Sequence, residues 1–474
     1  MSLRSLLLLA AAIMASTPAT ADSLAEAIAS AYEQNPSLAA QRALVRQFDE
    51  GVPQALAPAR PTLGATATGD QGGINALKDN GRTYSVGAQL SQSLYRGGRT
   101  RLGVSAAENR ILAARARLRA TENQIVLATI TAYADVIRYA SVVDLNISQV
   151  KVLDRELQQS KDRFDVGDLT RTDVAQSQAR LATAKSNLVV AQNQYAAARQ
   201  AYLRVVGRLP DNLAPLPPLP PLPGTENQAV DVATANNPEL LAARFDEAAA
   251  RYDVQVLERG RLPTLTAQAR ANYSRYDNYS GTNGFAFNGS FFTQDAILSA
   301  TIPIYQAGLI GSQVRQSQAI RSQLLETISV VDRSTHESVV NSFNQLRAAR
   351  AVIEASQVAV DANALAAEGV KQENQVGTRT IIELLNAEQE KLTAQVNLVT
   401  AQREEQVAGY ALLASVGAAE AIALGVQVNA YDATINARRV RGKWGDAGDQ
   451  DAPALPRPDA ERASHSLVIG PQQP

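Results

Sequence analysis

Apolar and polar residues alternate strictly in segments of both halves of the chain, which predicts a β-hairpin in each half. In the first half the apolar positions are Tyr84, Val86, Ala88 and Leu90. In the second half they are Leu265, Ala267, Ala269, Ala271 and Tyr273, followed by Ala296, Leu298, Ala300 and Ile302. A period of two gives a strand one apolar face and one polar face.

The polar face of these strands differs from the core of a soluble sheet. Arg270 and Asn272 alternate with alanines, where a buried sheet favours Val and Ile. The strands run about ten residues, which is the length of a tilted strand that crosses a bilayer. Tyr and Phe gather near the strand ends, as aromatic residues do where a bilayer meets water. We therefore predict transmembrane hairpins with Arg270 and Asn272 facing a water-filled lumen; an ordinary half-buried sheet is the alternative.

A very long helix follows each hairpin. Proline is absent from residues 100–164 and 312–374, and glycine occurs there only at Gly103 and Gly369. At ~1.5 Å per residue each helix would be about 100 Å long, too long for one globular core. Apolar or small residues recur alternately three and four positions apart, which predicts a coiled coil or helical wall. In the first long helix they are Ile111, Ala114, Leu118, Thr121, Ile125, Ala128 and Ala132. In the returning helix they are Leu181, Ala184, Leu188, Ala191, Tyr195, Ala198, Tyr202 and Val205.

The whole pattern occurs twice. Asn35-Pro36 recurs 202 residues later as Asn237-Pro238, and Val166-Gly167 recurs 210 residues later as Val376-Gly377. The difference in length falls within the hairpins, so each repeat has a rigid body and one loop that tolerates insertion. Each repeat is predicted to contain a first helix (about 24–54 in repeat one), a hairpin, the long helix and a returning helix.

These boundaries divide the chain into six parts. We predict a signal peptide over residues 1–21, repeat one over 22–207 with its hairpin at about 61–95, and a proline-rich linker over 208–225. Repeat two covers 226–417 with its hairpin at about 263–305. A C-terminal segment covers 418–446 and is predicted to pack on the tunnel that the long helices form. A disordered tail covers 447–474. The linker is typical of an extended polyproline strap, with recognition by a proline-binding module as the alternative.

Composition restricts the function. Arg4, an apolar run over residues 6–14 and a small-residue site before Asp22 form an export signal, with a buried N-terminal helix as the alternative. We identify no later segment with the roughly 18 uncharged apolar residues of a membrane-spanning helix. The chain has no cysteine, a net charge of −1, and two histidines without a visible cluster. We therefore expect no disulfide, no nucleic-acid partner, no metal, no cofactor and no enzymatic activity.

Four strands per chain set the predicted assembly. They cannot close a barrel alone, and open strand edges are not tolerated in lipid. Two chains would supply eight strands, whose barrel side chains fill, whereas three supply twelve and leave a lumen. We predict a mainly α fold with β: a trimeric outer-membrane barrel of twelve strands, continued by a long α-helical coiled-coil tunnel in the periplasm.

Several motifs occur in a fixed order along the chain. They are the paired Asn-Pro and Val-Gly dipeptides, the Leu-Ser-Gln-Ser-Leu-Tyr-Arg-Gly-Gly stretch ending at Gly98, and Tyr431-Asp432 followed by Val-Arg-Gly-Lys-Trp at 440–444. Together they resemble the TolC-like outer-membrane factors over essentially the full mature length. The resemblance implies a homotrimeric exit duct in outer-membrane lipid. It also implies a periplasmic adaptor (membrane fusion) protein, and through it an inner-membrane pump or ABC transporter.

The resemblance also assigns roles to the turns between the long and returning helices. It implies that Asp173 and Arg379 bond between helices and close the periplasmic entrance, and that residues 383 and 386 ring the constriction. The adaptor-docking tip would comprise Val166, Gly167, Val376 and Gly377.

The chain departs from the family pattern at three positions of this gate. Asn374 stands where a bonding Tyr is frequent, Glu383 replaces an Asp, and Asn386 removes a carboxylate. We expect a weaker closing network and a ring that binds cations less well. Helix capping explains the same residues without any gate, since glycine ends helices and Thr-x-x-Asp/Glu begins them.

Other functions remain open at this level. An exported coiled-coil scaffold without a pore explains the helices but not the hairpins, and an outer-membrane enzyme would need a catalytic cluster. Among ducts, drug or metal efflux and type I protein secretion are not separated by the tunnel sequence.

Overall fold

The computed structural model describes residues 22–71, 81–280 and 286–445. The predicted signal peptide and tail lie outside these residues, as do residues 72–80 and 281–285 of the predicted loops. The described residues form the helices α1 (Leu24–Gln34), α2 (Pro36–Asp49), α3 (Gly51–Leu56), α4 (Arg99–Asp165), α5 (Arg171–Val206), α6 (Glu226–Asn236), α7 (Pro238–Glu258), α8 (Leu309–Gln375), α9 (Ile381–Ser415) and α10 (Thr434–Arg441). The strands are β1 (Thr62–Gln71), β2 (Arg82–Tyr95), β3 (Thr264–Ser280) and β4 (Ala286–Thr301).

The two long helices, α4 and α8, form the frame of the molecule. Each contains 67 residues and is ~100 Å long. The half of α4 nearest the sheet packs on α2 and α3, where Val52 contacts Ala107 and Ile111. Its far half packs on α5 and α9, through Leu153 and Leu157. In the second repeat α8 packs on α6, α7 and α9, so in each repeat one continuous helix lies beside several shorter ones.

The predicted single helix over 24–54 is wrong, because the chain forms α1, α2 and α3 there. The break lies at Asn35, whose side chain accepts a hydrogen bond from the Ser37 amide (2.9 Å) and caps α2. Its Nδ2 donates to the carbonyl of Val205 at the end of α5 (3.0 Å). Asn237 caps α7 and donates to the carbonyl of Ser415 at the end of α9 (2.9 Å). In both repeats the same cap therefore fastens the returning helix.

The four strands form one antiparallel sheet in the order β1-β2-β3-β4. Their lengths are 10, 14, 17 and 16 residues, so the second hairpin is the longer one. Among the described residues, the outer edges of β1 and β4 have no strand partner. Ile302 lies beyond the end of β4, which corrects its prediction as a strand residue.

Two tyrosines lie at the centre of the main apolar core. Tyr133 on α4 and Tyr202 on α5 are fully buried, with ring centroids 6.4 Å apart. The Tyr133 hydroxyl lies 2.7 Å from the carbonyl oxygen of Ala214 in the proline-rich linker. Further along the linker, leucines pack against the same core: Leu216, Leu219 and Leu222. The linker is therefore held against the helices rather than suspended between the repeats.

Helix α4 also carries an apolar stretch that the sequence reading missed. One 18-residue stretch has a mean hydropathy of 1.4, which is long and apolar enough to cross a membrane by composition alone. The helix contributes Val126, Ile130 and Tyr133 to the main core. We therefore assign this apolar content to packing within the helical layer.

The C-terminal segment lies against the short helices of repeat one. The Tyr431 amide donates to the Tyr32 hydroxyl (3.1 Å), and Asn436 donates to the buried carboxylate of Asp49 (3.0 Å). The Trp444 ring lies 5.1 Å from the guanidinium carbon of Arg60, just before β1. The segment thus connects the end of the chain to the junction between helices and sheet.

Candidate gate and barrel faces

The two tips, where the long helices turn back, share one backbone design. Gly167 and Gly377 have φ values of 85° and 82°, the left-handed conformation that glycine adopts without strain. Val166 and Val376, just before them, are 81% and 75% exposed. Each tip therefore exposes one valine, and the docking of an adaptor at these residues stays a prediction.

Both returning helices begin with a complete capping box. The Thr170 amide donates to Asp173 (2.9 Å), and the Thr380 amide donates to Glu383 (2.9 Å). The hydrogen bonds from the amide and hydroxyl of Thr380, together with Arg379, lower the pKa of Glu383 to about 2. Glu383 is therefore ionised at every physiological pH.

Within one chain, Arg379 does not pair with Asp173. Its guanidinium donates to Glu373 (2.8 Å) and to Glu383 (2.9 Å), both in its own repeat. Asp173 bonds the amide and hydroxyl of Thr170. A bond between Asp173 and Arg379 of different chains stays a prediction.

Asn374 is buried and joins the two tips. Its Nδ2 donates to the carbonyl of Arg379 (2.8 Å), which fixes the turn of repeat two. Its Oδ1 accepts from Arg163 of repeat one (3.3 Å), which also pairs with Asp168 (2.6 Å). Both polar atoms of the Asn374 side chain therefore have hydrogen-bond partners within the chain.

Asn386 connects the two returning helices. Its Oδ1 accepts a hydrogen bond from Arg180 on α5 (2.6 Å). The sequence reading missed Arg163, Arg180 and Glu373. The repeat itself offered a signal, because Arg163 and Glu373 are 210 positions apart and carry opposite charges.

A buried polar group of residues lies above the tips. The hydroxyls of Ser160 on α4 and Ser177 on α5 are 3.0 Å apart. Glu156 and Glu388 are also buried, and Lys391 lies 3.4 Å from Glu388. Burial raises the pKa of Glu156, with Glu388 adding to the rise and Lys371 opposing it.

The sheet separates polar from apolar residues as its period of two predicts. Arg270 lies opposite Gln89 on β2 and Asp295 on β4, and Asn272 lies opposite Thr293. The other face carries Ala269 opposite Leu90 and Ala296. Leucines on this apolar face remain open to solvent: Leu63 (78%) and Leu298 (66%). A sheet with such a face must meet lipid or another apolar surface.

No group of His, Cys, Asp or Glu that could hold a metal ion occurs in the part of the chain that the structure describes. The polar features of both candidate sites are instead ion pairs, caps and one polar sheet face.

Comparison with known proteins identifies the same two repeats. The family model for outer membrane efflux proteins matches residues 27–208 and 229–418. The outer membrane efflux protein BepC of Brucella suis biovar 1 (strain 1330) is 34% identical over 437 residues, covering 92% of this chain and 94% of BepC. The outer membrane protein TolC of Escherichia coli (strain K12) is 29% identical over 402 residues, covering 80% and 81%.

The fold agrees with solved structures of the same kind. The outer membrane protein VceC of Vibrio cholerae superposes with a TM-score of 0.71 at 20% identity, covering 83% of this chain and 96% of VceC. The chain belongs to the outer membrane efflux protein family, which confirms its prediction as a TolC-like outer-membrane channel protein.

Proposed function

We propose that three copies of the chain form the outer-membrane exit duct of an efflux or secretion machine. The duct passes material from an inner-membrane pump through a lumen shared by the three chains. The proposal rests on one observation. In the described part of a single chain, the sheet has two edges without a neighbouring strand, and the helices expose large apolar side chains.

The sheet is open at both edge strands. Among the described residues, the outer edges of β1 and β4 have no neighbouring strand, and a backbone amide or carbonyl left without a hydrogen bond costs several kcal/mol in hydrocarbon. Pairing β4 of one copy with β1 of the next satisfies both edges and repeats head to tail. Three copies give twelve strands and an interior wide enough for water.

The helical layer is open in the same sense. Helix α8 has a series of large apolar side chains that face solvent in one chain: Ile320, Leu325, Val330, Val352, Val358 and Leu365. Val189 and Val190 are likewise exposed on α5. A contact between α8 of one copy and the opposite edge of the next would bury these groups, and each Val or Leu contributes about 1.5–3 kcal/mol when fully buried.

The polar sheet face then lines the passage. Closing the barrel with Ala269 and Leu298 toward lipid places Arg270, Asn272 and Asp295 on the water-filled side. The chain binds no cofactor and performs no reaction in this proposal, so the pump supplies the energy.

The tips meet the other components. Val166-Gly167 and Val376-Gly377 dock on a periplasmic adaptor protein, which links the duct to an inner-membrane pump or ABC transporter. Entrance closure depends on the polar network of the tips, with Arg379 reaching Asp173 of a neighbouring copy.

Native mass spectrometry of the detergent-extracted protein tests the assembly. Three chains per particle are expected, and Val330→Asp should dissociate them by placing a charge in the contact. Ser329→Asp adds the same charge beside it on α8 and should leave the trimer intact. A stable wild-type monomer or dimer would contradict the proposal.

A further inference from the structure

We propose that the junction between the first hairpin and α4 binds the phosphate headgroup of an anionic phospholipid of the periplasmic leaflet. The inference rests on the proposed outer-membrane location. The site is a cavity of about 620 Å³ where the sheet meets the helices. Its lining includes Leu56, Leu94, Tyr95, Arg96, Arg101 and Arg441.

Two cations of this cavity, Arg96 and Arg101, lack carboxylate partners among the described residues. The half-buried side chain of Arg96 bonds only the hydroxyl of Thr100 (3.1 Å) in the described part of the chain, while Arg99 donates to the carbonyl of Arg96 (3.1 Å). Arg101 has no hydrogen-bonding or ionic partner in the described residues. Burial and the charge of Arg99 lower the pKa of Arg96. An anion between Arg96 and Arg101 would stabilise both charges, and guanidinium groups bind phosphate in a bidentate manner.

The lining also contains a carboxylate. Glu108 would repel an anion if it were free, but it is paired with Arg441 (2.7 Å). Arg96 and Arg101 therefore leave an excess of positive charge at the site.

The second repeat shows that the fold does not require these arginines. The same turn occurs there, with Gly98 and Gly308 both left-handed before a 67-residue helix. At the positions equivalent to Arg96, Arg99 and Arg101, the second repeat has Gln306, Leu309 and Gly311. Arginines at these three positions therefore occur in repeat one alone.

Neighbouring side chains place the cavity at the level of a membrane surface. Leu94 and Tyr95, at the end of β2, are 56% and 49% exposed. Trp444, the single tryptophan of the chain, is 70% exposed and lies against Arg60 just before β1. Tyr and Trp at such a level mark the boundary of a bilayer. A diacyl lipid can thus place its phosphate on Arg96 and Arg101 and its chains along Leu94.

Lipid retention by the purified, intact protein tests the proposal. Native mass spectrometry after exchange into detergent with phosphatidylglycerol should show stoichiometric retention by the wild type. The double variant Arg96→Gln/Arg101→Gln should retain at least about tenfold less lipid, because it removes two charge-assisted contacts to the phosphate and ~1.4 kcal/mol is already a tenfold change in affinity. Arg171→Gln/Arg204→Gln removes two exposed charges away from the junction and should retain the lipid as the wild type does.

Several outcomes would overturn the assignment. Equal loss in the control variant would show unspecific lipid association, and equal retention of phosphatidylethanolamine would show no preference for an anionic lipid. Displacement by millimolar inorganic phosphate would assign the cavity to free phosphate. Conductance of the wild-type protein in pure phosphatidylethanolamine bilayers tests the duct separately, so either proposal can fail without the other.

Discussion

The guanidinium of Arg163, near the end of α4, lies 3.3 Å from the side-chain oxygen of Asn374, near the end of α8. This contact ties the tip of repeat one to the tip of repeat two within a single chain. It depends on a buried amide that also holds the Arg379 carbonyl. The geometry of one tip is therefore coupled to that of the other before any second chain is added.

Replacing Asn374 should loosen the tips without unfolding the protein. Asn374→Ala removes both side-chain contacts, keeps the longer bond from Arg163 to the backbone carbonyl of this residue (3.4 Å), and leaves the Arg379 carbonyl unsatisfied, a cost of about 1–3 kcal/mol. Amide hydrogen exchange over residues 374–380 should become faster, while the melting temperature of the assembly changes little. Asn363→Ala is the matched control, because the Asn363 amide bonds only the Ala359 carbonyl within its own helix. Unchanged exchange in Asn374→Ala would show that the contact does not hold the turn.

Arg379 can be tested as a gate residue by comparing its partners. Arg379→Ser and Asp173→Ala should each raise single-channel conductance and antibiotic leak, with little effect on melting temperature, because Thr170 and Thr380 remain as caps. If both remove one bond between chains, the double variant should add little. Glu373→Gln separates the alternatives, since it removes one of the two partners that Arg379 has within the chain and leaves Asp173 unchanged. If conductance increases in Glu373→Gln but not in Asp173→Ala, the bonds that close the entrance lie within each chain rather than between chains.

The lining of the lumen can be mapped in this cysteine-free chain. Single cysteines at Arg270 and Asn272 should react with a charged, membrane-impermeant thiol reagent, whereas those at Ala269 and Ala271 should not. The two pairs lie on opposite faces of the same strand, so each serves as the control for the other. Reaction of the alanine positions alone would show that the sheet is closed with the opposite face inward.

The ionised side chain of Glu156 should lower the free energy of unfolding at neutral pH. Burial raises its pKa above the ordinary value, so the charged form is disfavoured in the folded state. This destabilisation is complete above the raised pKa, shrinks as pH falls through it, and is absent below the ordinary value near 4.5. Glu156→Gln should therefore raise the thermal unfolding midpoint at pH 7 by more than it does at pH 5. The exposed Glu354→Gln should show no such difference, and a constant effect of Glu156→Gln at both pH values would contradict the assignment.

Local patterns predicted those features that depend on local chemistry. The period of two places Arg270 and Asn272 on one face, and the structure gives them the polar neighbours Gln89 and Asp295. The capping boxes at Thr170 and Thr380 follow from four residues each. The Asn-Pro dipeptide at Asn35 is also a local signal for the start of a helix. The helical period continues across it, which is why the pattern predicts a single helix there.

Contacts between the repeats could not be read in the same way. The partners of Arg379 depend on which of several nearby carboxylates its flexible side chain reaches. Arg163 and Asn374 are 211 positions apart in the sequence, and they are in contact because the ends of α4 and α8 lie side by side. The chemistry of each tip residue was visible, whereas its partner depended on tertiary packing.

The unequal hairpins have a consequence for the outer end of a closed assembly. Arg82, the first residue of β2, pairs with Asp277, and β3 continues from there to Ser280, so the described strands of the second hairpin extend about three residues further, at ~3.4 Å each. Around three copies the tall and short hairpins alternate. The described part of a closed barrel wall then has three raised and three lowered segments at the end away from the helices.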